Sequence, residues 1–99
     1  MKVLAIEREV PGVSAADFTP QLKKAEAAQA WQLYQSGVLR ELYFRQDQSS
    51  AILVLECQDV AASRQILEGL PLVEAGLISF EIIPLVAYPG FERLFENKG

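Results

Sequence analysis

Leu77-Ile78-Ser79-Phe80-Glu81-Ile82-Ile83-Pro84-Leu85-Val86, the second half of an apolar run that begins at Leu70 and ends at Pro89, decides the fold. Its residues alternate. Ile78, Phe80, Ile82, Pro84 and Val86 fall on one face and Leu77, Ser79, Glu81, Ile83 and Leu85 on the other, the two-residue period of a strand. Both faces are largely apolar. A strand in a small antiparallel sheet ordinarily leaves one face to water, so this one asks for cover on two sides. Helices supply one cover, and in a chain of 99 residues a second copy of the same chain is the simplest source of the other.

Upstream of this run, each element is bounded by start and stop signals. Lys2 to Val10 reads as a first strand, with Leu4 and Ile6 on one face, Val3, Ala5 and Glu7 on the other, and Pro11-Gly12 as its end. Ser14-Ala15-Ala16-Asp17 suits a short capped turn. Thr19-Pro20 then sets an N-cap before a proline at the first helical position, and a helix is predicted from about Pro20 to Ser36, closed by Gly37. Wound at roughly 100° per residue, its inner arc holds Leu22, Ala27, Ala30, Trp31, Leu33 and Tyr34, while Lys24, Gln29, Gln32, Gln35 and Ser36 take the outer side. Glu26 breaks this pattern, falling between Leu33 and Ala30. Val38 to Arg45 and Ala51 to Cys57 read as a hairpin joined by Gln46-Asp47-Gln48-Ser49-Ser50. Asp59 caps a second helix, Val60 to about Glu68, with Val60, Ser63, Ile66 and Leu67 inward and Gly69 at its end.

Strand, helix, strand, strand, helix, strand is the ferredoxin-like βαββαβ order of an α+β domain, with two helices on one face of a four-stranded antiparallel sheet. Residues 1–99 are expected to form that single domain. The opposite face, rich in large apolar residues, predicts a homo-oligomer that is at least a dimer stacked sheet on sheet, a dimeric α/β barrel. Gly90 to Phe95 carries two phenylalanines and a leucine, which are costly to leave in water, so this tail is expected to dock on a neighbouring subunit.

Composition narrows the function classes. A chain that is 51% hydrophobic and 22% charged can build a core, which argues against disorder. Its net charge of -4, with Lys23-Lys24 as the densest basic stretch, disfavours nucleic acid as a partner. Early charged residues argue against a signal peptide and the lack of an apolar run of about 18 residues against a membrane segment, so a cytoplasmic protein is expected. There is no histidine, and Cys57 is the one cysteine. Those two facts remove an internal disulfide and the Ser-His and Cys-His nucleophiles, and neither a metal nor a cofactor is expected.

What remains for chemistry is carboxylates. Glu26, placed inward, would be partly desolvated, which raises a carboxyl toward the range where it can take and return a proton; Lys23, one turn earlier, could hold it ionised instead. Glu7, Arg40, Glu41, Glu56 and Glu81 are charges inside apolar strands, and cross-strand ion pairs are their ordinary use. Arg40 is the one best suited to grip an anionic ligand. Among the aromatic residues, most suited to packing, Tyr43 and Tyr88 carry hydroxyls able to reach a cavity. Cys57 reads as a small buried apolar residue.

Gln21-Leu22-Lys23, Glu26, Leu33, Gly37, Arg40 and Leu42, then Leu70-Pro71-Leu72, Pro84-Leu85 and Pro89, resemble in order and spacing the muconolactone isomerase family of dimeric α/β barrels. The resemblance implies a ferredoxin-like subunit, a barrel made by two subunits, and a cofactor-free 1,3 proton shift on an unsaturated, anionic small molecule. It carries Glu26 over as the acid/base candidate and Arg40 as a substrate anchor, with Lys23, Tyr43 and Tyr88 as further substrate-binding candidates. The chain departs from the family at Ala27, Glu41 and Tyr88, where the family has a basic residue and two histidines. The alternatives from other classes are a non-catalytic barrel that binds a small apolar ligand, a cofactor-free oxygenase-type relative, and a purely structural oligomerisation module.

Overall fold

The computed structural model describes residues 1–96. Four strands, β1 (Lys2–Glu9), β2 (Leu39–Phe44), β3 (Ala51–Glu56) and β4 (Ile78–Leu85), form one antiparallel sheet in the order β2-β3-β1-β4. There are two longer helices, α1 (Pro20–Gln35) and α2 (Val60–Glu68), and a one-turn helix, α3 (Pro71–Glu74), lies between α2 and β4. The caps are where the sequence puts them: the Thr19 hydroxyl accepts the Leu22 N–H at 3.2 Å and the Asp59 carboxylate accepts that of Ala62 at 2.8 Å. Gly37 sits at φ 85°, a conformation that would strain any residue with a Cβ, and ends α1 there.

The alternation of β4 and β1 translates directly into two faces. Val3, Ala5, Leu53, Leu55 and Leu39 are buried against Leu67 and Leu70 from the helix layer, with Ala30, Leu33, Phe80 and Ile82 packed around them. The cross-strand register places Leu4, Ile6, Ile52, Val54 and Ile83 together on the other face, which no helix covers. Arg8 and Glu81 pair across that face, and the Tyr43 hydroxyl donates to Glu41 at 2.8 Å beside it.

Three features depart from the sequence pattern. The inward stripe of α1 is Leu22, Glu26, Gln29, Ala30 and Leu33, narrower than expected; Trp31 and Tyr34 lie outside it, exposed and stacked on each other at 5.7 Å. The helix is rolled so that a small residue, Ala30, meets the core, which admits Gln29 and turns the two rings outward. β2 has a bulge between Leu39 and Glu41, so that Leu39, Leu42 and Phe44 share the helix side although strict alternation would separate them. Leu70-Pro71-Leu72, which carries no period, folds as the start of α3, with Leu70 fully buried as its N-cap residue.

Residues beyond β4 form a 3-10 segment, Pro89–Phe95, in which Tyr88 meets Phe91 edge-on at 5.0 Å while Leu94 and Phe95 remain exposed. The chain is accordingly drawn out to 65 Å along one axis against 29 and 22 Å on the others. Its radius of gyration of 16.8 Å exceeds the roughly 13 Å of a compact domain this size. Antiparallel pairing sets Leu85 opposite Lys2, so the arm leaves from the end of the sheet where β1 begins.

Candidate functional site

At the other end of the sheet, between the helix layer and the strands, lies a cleft of about 630 Å³. The chain folds that way because β1, α1 and β4 diverge there: Val10 and Val13 follow β1, Phe18 precedes α1, Phe44 ends β2 and Leu77 enters β4. Phe18, Phe44, Leu72, Leu77 and Ile78 give it apolar walls, and Glu7, Glu9 and Lys23 are its charged groups. Such a space suits a small molecule with an apolar body and one charged end.

Glu26 does not itself line this cleft; it is half-buried in the middle of the inward stripe of α1 and reaches the cleft wall through Leu72. Its Oε1 accepts the Leu72 N–H at 2.9 Å, so the carboxylate fixes α3, whose Leu72 is part of the cleft wall. The two segments of the chain that carry most of its distinctive spacing, Glu26 and Leu70-Pro71-Leu72, are thus in direct contact. Burial lifts the Glu26 carboxyl above its ordinary value; the Leu72 amide works against that lift, and the negative charge of Glu7 adds to it.

Glu7 comes from β1 on the same side as Val3 and Ala5 and lines the cleft directly. Its Oε1 accepts the Ala51 N–H at 3.1 Å, and its main-chain carbonyl accepts the buried Ser50 hydroxyl at 2.8 Å. Burial raises this carboxyl too, opposed by the Ala51 amide and reinforced by Glu9. Strand alternation puts Glu7 on the face of Val3 and Ala5, and the structure shows that this is the face under the helix layer.

Of the other candidates, Lys23 lines the cleft and Arg40, Tyr43 and Tyr88 do not. Arg40 sits at the β2 bulge, exposed, with its Nε donating to the Gly37 carbonyl at 2.5 Å. Tyr43 is on the uncovered sheet face and Tyr88 on the arm. The strand charges form the expected cross-strand pair at Arg8 and Glu81, whereas Glu7 has no cationic partner among the described residues. Cys57 is half-buried at the end of β3, and burial raises its thiol. No helix among the described residues is long and apolar enough to cross a membrane.

Comparison with known proteins gives a consistent family picture. The family model described as muconolactone delta-isomerase matches residues 3–90. A crystal structure of muconolactone isomerase is similar to this chain with a TM-score of 0.74 and 25% identity, covering 90% of this chain and 92% of that one. The 5-chloro-2-hydroxyhydroquinone dehydrochlorinase of Burkholderia phenoliruptrix AC1100, in complex with 2,5-dihydroxybenzoquinone, shares the fold with a TM-score of 0.68 and 16% identity over 87% of this chain and 94% of that one. No curated protein matches the chain.

Proposed function

The chain belongs to the muconolactone delta-isomerase family, and from that premise we propose that it is a cofactor-independent isomerase that moves a proton within a small, unsaturated, anionic molecule held in the cleft. The observation that carries the proposal is the half-buried Glu26 carboxyl bonded to the amide of Leu72, a wall residue of an apolar cleft that also presents Lys23. A carboxylate raised by burial is a better base than one in water and still gives its proton back readily. Lys23 supplies the charge to hold a ligand carboxylate, while Phe18 and Phe44 face its carbon skeleton.

In this scheme the Glu26 carboxylate takes a proton from the saturated carbon next to a carbon–carbon double bond conjugated with a carbonyl, and the C–H electron pair spreads through that double bond onto the carbonyl oxygen. The same group, now protonated, delivers the proton to the carbon next to the carbonyl, two atoms away, and the electron pair returns to form that bond. One carboxyl serves both halves because the two carbons are close to each other. The uncovered sheet face, with Leu4, Ile6, Ile52, Val54 and Ile83, supports assembly of two subunits sheet on sheet.

The test uses muconolactone in deuterated water, followed by proton NMR. Wild-type protein is expected to exchange the labile ring proton and form the isomer; Glu26→Gln is expected to do neither while keeping its oligomeric state. Unchanged exchange in Glu26→Gln removes Glu26 from the role. Saturable binding with no exchange in the wild-type protein points instead to a non-catalytic barrel, a reading that the apolar walls of the cleft also support.

A further inference from the structure

The wall that β1 gives to the cleft is acidic. Glu7 lines it directly, and Glu9 lines it two residues further along the same side of the strand. Among the described residues the cation of the cleft is Lys23, which comes from a different element, α1. Glu7 is held from the hairpin side: its Oε1 accepts the Ala51 N–H at 3.1 Å, and its main-chain carbonyl accepts the Ser50 hydroxyl at 2.8 Å. Its Oε2 accepts from no donor among the described residues. Arg8, the neighbouring cation in the strand, is on the opposite face of the sheet, where Glu81 engages it.

A ligand that fills the cleft takes water away from this carboxylate. An ionised oxygen left with neither water nor a donor is costly, so a ligand that brings no donor to this wall is penalised. Burial already raises the Glu7 carboxyl, against the Ala51 amide and together with the charge of Glu9. A second anionic group on the ligand is repelled from this side by Glu7 and Glu9. An ammonium loses more than a hydroxyl on leaving water, and the remaining walls, Phe18, Phe44, Leu72 and Leu77, are apolar. The group that suits the Glu7 wall is therefore a neutral donor.

We propose that Glu7 is the specificity-determining residue of the cleft: it accepts a hydrogen bond from a ligand hydroxyl, so the molecule taken up is a hydroxylated, unsaturated carboxylic acid with its carboxylate toward Lys23 and its hydroxyl toward β1. This rests on the reading above, in which Lys23 holds the anionic end. Glu7 makes and breaks no bond to carbon; it selects and orients. Two polar contacts from two different elements fix a flat molecule in one direction, which a single contact does not.

Isothermal titration calorimetry with phenylacetates tests this, each probe having a carboxylate for Lys23: meta- and para-hydroxyphenylacetate against the corresponding methoxy compounds, which accept hydrogen bonds but cannot donate. Wild-type protein is expected to bind one hydroxy acid about tenfold more tightly than its methoxy counterpart. Glu7→Gln keeps an oxygen for the Ala51 N–H and presents an amide N–H to the ligand instead. The methoxy compound then gains a partner, and the hydroxy-to-methoxy affinity ratio should fall about tenfold. Equal affinities in the wild type, or a ratio unchanged in Glu7→Gln, overturn the assignment, as does tighter binding of meta- or para-(aminomethyl)phenylacetate than of either hydroxy acid. A wild type that binds none of the acids overturns the carboxylate-holding reading of the cleft, and this assignment with it. A hydroxyl preference that Glu7→Gln abolishes, in a protein that does not exchange the protons of muconolactone, upholds the assignment and overturns the proton shift alone.

Discussion

Truncating Glu26 to alanine separates what this side chain does for the fold from what it does for a ligand. The substitution deletes the acceptor of the Leu72 N–H, a bond of 2.9 Å that fastens α3 to α1. Leaving a half-buried amide without a partner costs about 1–3 kcal/mol, and the better helix propensity of alanine returns a few tenths. Relief of the carboxylate from burial offsets part of the rest. The net expectation is a loss of about 1 kcal/mol at neutral pH, or about 4–8 °C in melting temperature for a domain of this size. Glu26→Gln keeps an acceptor and sheds the charge, so it should melt within about 0.5 kcal/mol of the wild type at neutral pH.

The pH dependence has a definite sign. Because the folded carboxyl titrates above its unfolded value, the folded chain binds more protons between those two values, and this group's contribution to stability falls as pH rises through the window that begins near 4.3. Wild type should therefore lose ground against Glu26→Gln as pH climbs from about 4 toward neutrality. Melts followed by far-ultraviolet circular dichroism, at one protein concentration so that association is held constant, measure both effects. Equal stability of Glu26→Ala and wild type would mean that the Leu72 bond contributes nothing. A wild type that gains on Glu26→Gln with rising pH would mean that burial does not govern this carboxyl.

Three further outcomes are expected. Lys23→Met, which removes the cleft's cation and keeps its stem, should raise KM for an anionic substrate about tenfold with a smaller change in kcat, as read in steady-state assays; an unchanged KM would exclude Lys23 as the anchor. Val54→Lys, at the centre of the uncovered face opposite Leu4, should shift the assembly toward monomer in light scattering, and a distribution identical to wild type would place the interface elsewhere. Asp59→Ala should cost about 1 kcal/mol in urea denaturation by freeing the Ala62 amide, and a change below about 0.3 kcal/mol would show that α2 is held by packing alone.

The order of elements and the two faces of β4 are legible in the sequence because strand alternation and caps are local. The structure has the four strands and both longer helices within two residues of the expected bounds. What was illegible depends on neighbours distant in the chain. The one-turn helix at Pro71 is too short to show a period, and its position is set by Glu26, 46 residues earlier. The β2 bulge can be seen only against β3, and it reverses which side Leu42 and Phe44 face. Glu26 stood out because one carboxylate interrupts an apolar stripe. Glu7 looked like one strand charge among several; its place in the cleft comes from segments distant in the chain, Phe18, Phe44, Leu72 and Leu77 among them, which no spacing within β1 encodes.

The two margins of the sheet are unlike. β2 is short and kinked at Arg40, a shape that discourages a further strand from adding there. β4 runs for eight residues with its outer rim unpaired, interrupted late by Pro84, which has no amide hydrogen to offer. Prolonged heating should consequently nucleate fibres along Ile78 to Ile83, and a short proline-bearing peptide copied from that stretch is the natural design for a growth inhibitor.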